Sequence, residues 1–153
     1  MAKKSNITKS EKLQSVYNKL NIKDEEVLYL TIKREFFNRI LNGTKKVEFR
    51  DNADYYWRKI ANFGKKNEYV DDKPLKYILL QAGYEPTSPR LLVEFLDYGW
   101  VNNVGYTDKG KICTSKKIGF EKQILIEASN EGFILEDEYI ALVLGNILYN
   151  EEF

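Results

Sequence analysis

Residues 30–51 read LTIKREFFNRILNGTKKVEFRD, and the places where this stretch changes its hydrophobic period decide the fold. Leu30 and Ile32 end an apolar run that begins at Val27, the pattern of a buried strand with charge at either end. Phe36, Phe37, Ile40 and Leu41 then recur at helical spacing, and Asn42-Gly43 stops that helix. After the glycine the period falls to two, with Lys46, Glu48 and Arg50 alternating against Val47 and Phe49. The spacing predicts strand, helix, strand. It also puts Glu48 and Arg50 on one face, where a carboxylate and a guanidinium either pair or jointly grip a ligand. An ordinary surface ion pair has the same sequence.

Working outward, TKSEKLQSVYNKLNI carries Leu13, Val16, Tyr17 and Leu20 at helical spacing, with Thr8 and Glu11 in the form of a capping box, so a helix is expected over 8–20. YYWRKIANF at 55–63 fits a short amphipathic helix or an aromatic-rich loop. Two strands follow at 75–82 and 90–97, joined by the glycine- and proline-bearing GYEPTSP. NNVGYTDKGKICTSKKIG is polar and glycine-punctuated, the pattern of a long loop or loose hairpin. KQILIEA and EYIALVLGNILY are expected to be the last strands, with Gly145 marking a bulge or a close backbone approach. Five or six strands with short helices between the early ones predict an α+β domain on a curled sheet, a small mixed barrel with peripheral helices.

Composition bounds the function. A chain of 153 residues fits a single core, and 14% aromatic content argues against disorder. With one cysteine, Cys113, no internal disulfide forms. The basic start MAKKSNITKSEK has no apolar segment behind it, and no run approaches membrane-spanning length, so the expected compartment is the cytoplasm and no membrane partner is expected. Histidine is absent, which removes Ser-His-Asp and Cys-His triads, imidazole catalysis and the usual zinc sites. No metal or other cofactor is expected, and any chemistry must run on Lys, Glu, Asp, Tyr, Thr or Ser.

Net charge is +1, yet charge is sorted along the chain: residues 1–23 carry six lysines against Glu11, and residues 123–153 carry seven acidic side chains and no Lys or Arg. A dipolar surface of this kind can orient a polyanion, although solvated helix and loop charge has the same composition. Lys33, Lys45 and Arg50 are candidate cations for a phosphate or an oxyanion. Trp57, Tyr84 and Trp100 are candidates to stack a nucleobase, and core packing is the competing use of each.

The stretch LTIKREFFNRILNGTKKVEFRD resembles the signature of ASCH domains, members of the PUA-like superfamily, with Gly43, Lys45, Glu48 and Arg50 at the positions of a Gly-x-Lys-x-x-Glu-x-Arg segment. YILLQAGYEPTSPRLLVEF and EYIALVLGNIL resemble the family's central strand pair and closing strand. The resemblance implies a PUA-like β-barrel over residues 25–153, with residues 1–24 as a basic helical extension, and a solvent-facing cleft beside the signature strand. It implies an RNA- or nucleotide-binding role for the segment that holds Lys45, Glu48 and Arg50, and the chemistry of the residues themselves adds Lys33, Trp57 and Tyr84 as candidate ligand contacts. It also implies an alternative: a hydrolase, either a ribonuclease or an amidohydrolase of acetylcytidine, with Lys45 and Glu48 catalytic. In the amidohydrolases a threonine stands three places after the lysine, where this chain has Glu48, and a downstream glutamate takes part, for which Glu127 and Glu131 are both open. A third reading is a protein-interaction module that uses the N-terminal helix and the acidic C-terminal third. RNA or a modified nucleoside is the expected partner, with a protein partner through the N-terminal helix as the other, and the chain is expected to be a monomer.

Overall fold

The computed structural model describes residues 8–102, 111–114, 121–131 and 138–151. The loop or hairpin expected over 102–119 lies largely outside them. In chain order the elements are α1 (Glu11–Leu20), a single 3-10 turn (Asp24–Glu26), β1 (Val27–Thr31), α2 (Arg34–Leu41), β2 (Val47–Asp51), α3 (Asp54–Ile60), β3 (Ala61–Phe63), β4 (Tyr69–Asp72), β5 (Tyr77–Gln81), β6 (Arg90–Asn102), β7 (Lys111–Thr114), α4 (Glu121–Asn130) and β8 (Tyr139–Glu151). The chain is a mixed α+β protein built on a curled, barrel-like sheet. No described helix is long and apolar enough to cross a membrane.

Six strands form the main sheet in the order β1-β5-β6-β8-β2, with β7 added beside β6, while β3 and β4 make a separate hairpin. β1 runs parallel to β5, and the other pairings in the sheet are antiparallel. Register shifts in β6 between Leu92 and Asp97 bend the two longest strands, β6 and β8, as bulges do, and the bend curls the sheet. Gly145 sits at that bend. A Cβ there would lie 2.9 Å from Cβ of Glu94 and 3.0 Å from Cδ2 of Leu96, so the glycine expected to mark a close backbone approach does so.

Alternation along the strands feeds two faces. Leu28, Leu30, Ile78, Leu80, Leu91, Val93, Ile140 and Leu142 point to an inner face and pack with Phe37 and Ile40 of α2 and Ile60 of α3. The opposite face is covered in two patches. Leu13 and Tyr17 of α1 pack with Leu79 and Leu92, and Ile124 and Ala128 of α4 pack with Val47, Phe49, Ala141 and Val143. The apolar face of α1 is therefore taken up by its own sheet.

Three local expectations are corrected. Helix α1 begins at Glu11, capped by Ser10, whose Oγ accepts from the backbone N–H of Leu13 at 3.1 Å, and Thr8 is no part of that cap. The stretch 55–63 is both helix and strand, since α3 runs directly into β3. KQILIEA is helical: Ile124 is fully buried while Ile126, which a strand would place on the same face, is 46% exposed. Ile124 and Ala128 are four apart and share the buried stripe, which is the helical period.

Because α1 supplies core side chains, Leu13→Ala is expected to lower the stability of the whole protein by about 2–5 kcal/mol, as for other fully buried leucines. Urea unfolding followed by circular dichroism measures it. A loss under 1 kcal/mol with an unchanged transition slope would show that the helix is dispensable.

Candidate functional site

β1 and β2 are the two ends of the strand order and do not pair with each other. The seam between them is the candidate site. Opposite residues of an antiparallel pair share a face, and Glu48 stands opposite Leu142 while Arg50 stands opposite Ile140. Glu48 and Arg50 therefore occupy positions on the inner, apolar face, at its open edge. Their expected common face is real, but it is turned toward the interior.

Arg50 bridges the gap. Its Nη2 donates to the carbonyl oxygen of Thr31 on β1 at 2.7 Å and to Oε2 of Glu48 at 2.8 Å, and its guanidinium lies over the Tyr56 ring at 5.6 Å. Its Nε is buried and has no hydrogen-bond partner among the described residues. Oε1 of Glu48 accepts from the backbone N–H of Phe49 at 3.1 Å and lies 3.6 Å from Nζ of Lys45.

The turn Asn42-Gly43-Thr44 positions Lys45. Gly43 has φ of 86°, the left-handed conformation that ends α2, and the next two backbone N–H groups both return to the carbonyl of Arg39 at 3.0 Å. Lys45 is thereby turned inward and is 1% exposed. Its Nζ donates to Oε2 of Glu131 at 2.5 Å and lies 5.1 Å from the ring centroids of both Phe36 and Phe49. A buried ammonium with two carboxylates and two ring faces is electrostatically matched.

Glu127 and Glu131 separate into two jobs. Glu127 accepts from the backbone N–H groups of Lys46 at 3.0 Å and Val47 at 2.9 Å and from Nε2 of Gln123 at 2.6 Å, so it clamps α4 to the start of β2. Glu131, four residues on, is thereby delivered to Lys45. Burial pushes the Glu131 carboxyl above its usual range, outweighing the hydrogen bond and charge of Lys45 that pull it down.

A cavity of about 250 Å3 opens over this network, lined by Thr31, Lys33, Phe36, Glu48, Arg50, Tyr56 and Glu131 among others. Lys33 is exposed at it and makes no ion pair among the described residues. Lys45 lies beneath it and is not part of its lining. Trp57 and Trp100 line a different cavity, and Tyr84 is 87% exposed outside the cleft, its hydroxyl 3.4 Å from Oγ1 of Thr31. The structure brings together Lys33, Lys45, Glu48 and Arg50, and sets Trp57 and Tyr84, which the sequence reading grouped with them, apart from the cavity. The sequence reading missed Thr31, Phe36 and Tyr56, whose residue types carry no signal for a site. No group of three or more His, Cys, Asp or Glu among the described residues is placed to hold a metal ion.

Comparison of the chain with protein-family models, curated proteins and solved structures gives no match.

Removing the ammonium while leaving both carboxylates buried is the costly change. Lys45→Met is expected to destabilise the protein by about 3–5 kcal/mol in chemical denaturation at pH 7, and a loss below 1 kcal/mol would show that the network is loosely solvated. Glu131 adds a pH signature. Its raised folded-state value means that the folded protein keeps a proton the unfolded chain has released, so its contribution is full below the usual value of 4.5 and is lost as pH rises through the folded value. The stability difference between wild type and Glu131→Gln is therefore expected to move against the wild type from pH 4.5 upward. A difference that is flat, or that moves the other way, would show that Lys45 dominates burial at this carboxyl.

Proposed function

We propose that this chain is a nucleotide-binding protein of the ASCH type, with a PUA-like barrel, that seats one nucleoside unit in the seam between β1 and β2. The observation that carries this reading is the Arg50 side chain. It closes the gap between the edge strands, lines the cavity, and retains a buried Nε–H with no acceptor among the described residues. The side chain is 13% exposed at the cavity, and that exposed part is where a ligand carbonyl or ring nitrogen would meet the guanidinium.

The rest of the lining suits a nucleoside. Phe36 and Tyr56 offer ring faces, Glu48 and Glu131 offer acceptors for an exocyclic amine, and Lys33 offers an exposed cation for a phosphate or a ribose-linked anion. The cavity is below the usual 300–1,000 Å3 range of drug-sized pockets, which fits one base and part of a sugar. It is not a phosphate track, because Lys45 and Arg50 are already matched by Glu131 and Glu48. Lys33 remains as the available cation of the four signature-linked residues, so binding depends on shape and hydrogen bonds more than on salt.

A second reading, hydrolysis of an acylated nucleoside, is favoured by the 2.5 Å contact of Lys45 with Glu131. A carboxyl whose pKa is raised by burial, held beside an ammonium at a cavity wall, is the arrangement of a general base and its electrostatic partner. In this reading Glu131 takes a proton from water as its oxygen attacks the acyl carbon. The proton passes to the departing amine as the carbon–nitrogen bond breaks, while Lys45 stabilises the charge that forms.

Backbone amide shifts measured by NMR during titration with cytidine and with acetylcytidine test both readings. The largest changes are expected at Lys33, Glu48, Arg50 and Tyr56, with affinity changing less than threefold between 50 and 200 mM salt, roughly the dependence of at most one phosphate contact. Arg50→Ala is expected to weaken binding about tenfold or more. Shifts confined to other surfaces, or binding only to long RNA with a steep salt slope, would overturn the seam. Release of acetate from acetylcytidine, lost in Glu131→Gln, would establish the hydrolase.

A further inference from the structure

The two tryptophans of the chain, Trp57 and Trp100, line a single cavity of about 430 Å3 between α3, the β3–β4 hairpin and β6. Phe63, Tyr69 and Tyr98 complete its aromatic walls. These rings meet one another by their edges: Trp57 and Tyr98 at 5.8 Å and 71°, Phe63 and Tyr69 at 6.3 Å and 78°. Edge contacts of this kind hold the rings at steep angles to one another, as walls of the cavity.

The walls are also anchored. Oδ1 of Asp72 accepts from the hydroxyl of Tyr98 at 2.5 Å and from that of Tyr69 at 3.0 Å, and Oδ1 of Asn52 accepts from the indole N–H of Trp57 at 2.7 Å. Rings held by hydrogen bonds at their polar ends present a preformed slot, so an occupant does not have to order them. Trp100 extends the aromatic wall along β6. Arg58 adds a cation at the same wall, its guanidinium over Phe63 at 5.5 Å and its Nη2 on Oδ1 of Asn67 at 2.5 Å. Aromatic walls and a cation together describe a planar heteroaromatic ring linked to an anion.

This cavity and the seam share a wall. Asp51 and Tyr56 line the seam, and the next residue after each, Asn52 and Trp57, lines the aromatic cavity. We propose that the aromatic cavity is a second nucleobase subsite, so that the ligand is a short single strand placing neighbouring bases on either side of α3. The proposal rests on the seam reading for the first base.

Intrinsic fluorescence reads this cavity selectively, because both tryptophans line it. Titration of the full chain with the dinucleoside monophosphate CpC is expected to quench the emission, with half-saturation at about tenfold lower concentration than for cytidine, the contribution of roughly one stacked base. In Trp57→Ala, followed through Trp100, that tenfold advantage is expected to vanish while cytidine still shifts the Arg50 amide, which also shows that the variant is folded. No quenching, or equal half-saturation for CpC and cytidine in the wild type, would overturn the second subsite whether or not any variant folds. Failure of the seam is read separately, as absent shifts at the Glu48 and Arg50 amides. Tryptophan quenching that persists without those shifts supports the stacking slot and removes the strand.

Discussion

The hydrogen bonds of Arg50 across the seam are the constraint from which the rest of the site follows. A sheet that curls but does not close leaves two edge strands with unpaired backbone groups facing each other, and such edges need either a partner strand or a covering. Here a side chain covers them. Nη2 of Arg50, rooted on β2, satisfies the carbonyl of Thr31 at the end of β1, and Glu48 holds the guanidinium in place from two residues away. The gap is kept at side-chain width, wider than a strand pairing would leave it, and that width is the cavity. Closing the barrel with backbone hydrogen bonds would remove the pocket.

Polar residues on an inner face oppose the apolar pattern of the rest of the sheet, and the surrounding structure shows how they are tolerated. Glu48 and Arg50 stand where Leu142 and Ile140 stand on the neighbouring strand. Each charge has a partner at 2.8 Å or less except the 3.6 Å approach of Lys45 to Glu48, and the chain runs Glu131, Lys45, Glu48, Arg50, Thr31 without a break. Breaking the local rule of apolar in, polar out is concentrated at one edge of one sheet. Local inconsistency of that kind marks functional or strained positions.

Much of this was legible in residues 30–51. The change from an apolar run to a helical period to a period of two places β1, α2 and β2, and Gly43 marks the left-handed turn that aims Lys45. What the sequence could not convey was direction. Alternation shows that Glu48 and Arg50 share a face, but whether that face meets solvent or the interior depends on β8, whose pairing partner lies about ninety residues away. The separation of Trp57 from the seam was hidden for the same reason. Trp57 and Tyr56 are adjacent, and the turn of α3 sends them into different cavities. The helix at 121–130 was misread because three consecutive apolar residues, Ile124 to Ile126, satisfy a strand and a helix equally, and the clamp that decides, Glu127 on the backbone of Lys46 and Val47, is a tertiary contact.

That clamp also explains how a lysine can be both buried and useful. An ammonium sealed under a cavity cannot touch a ligand phosphate, so Lys45 acts on the contents of the seam through the carboxylates it holds. With Glu131 ionised, the four groups Lys45, Arg50, Glu48 and Glu131 sum to zero charge, and with Glu131 protonated they sum to one positive charge. Burial has already moved Glu131 toward the protonated form. An anionic or carbonyl-bearing ligand placed against Arg50 would favour that proton further, and a cationic or amine-bearing one would expel it. The net charge at the seam therefore turns on the proton of Glu131, which itself lines the cavity and rests on Lys45.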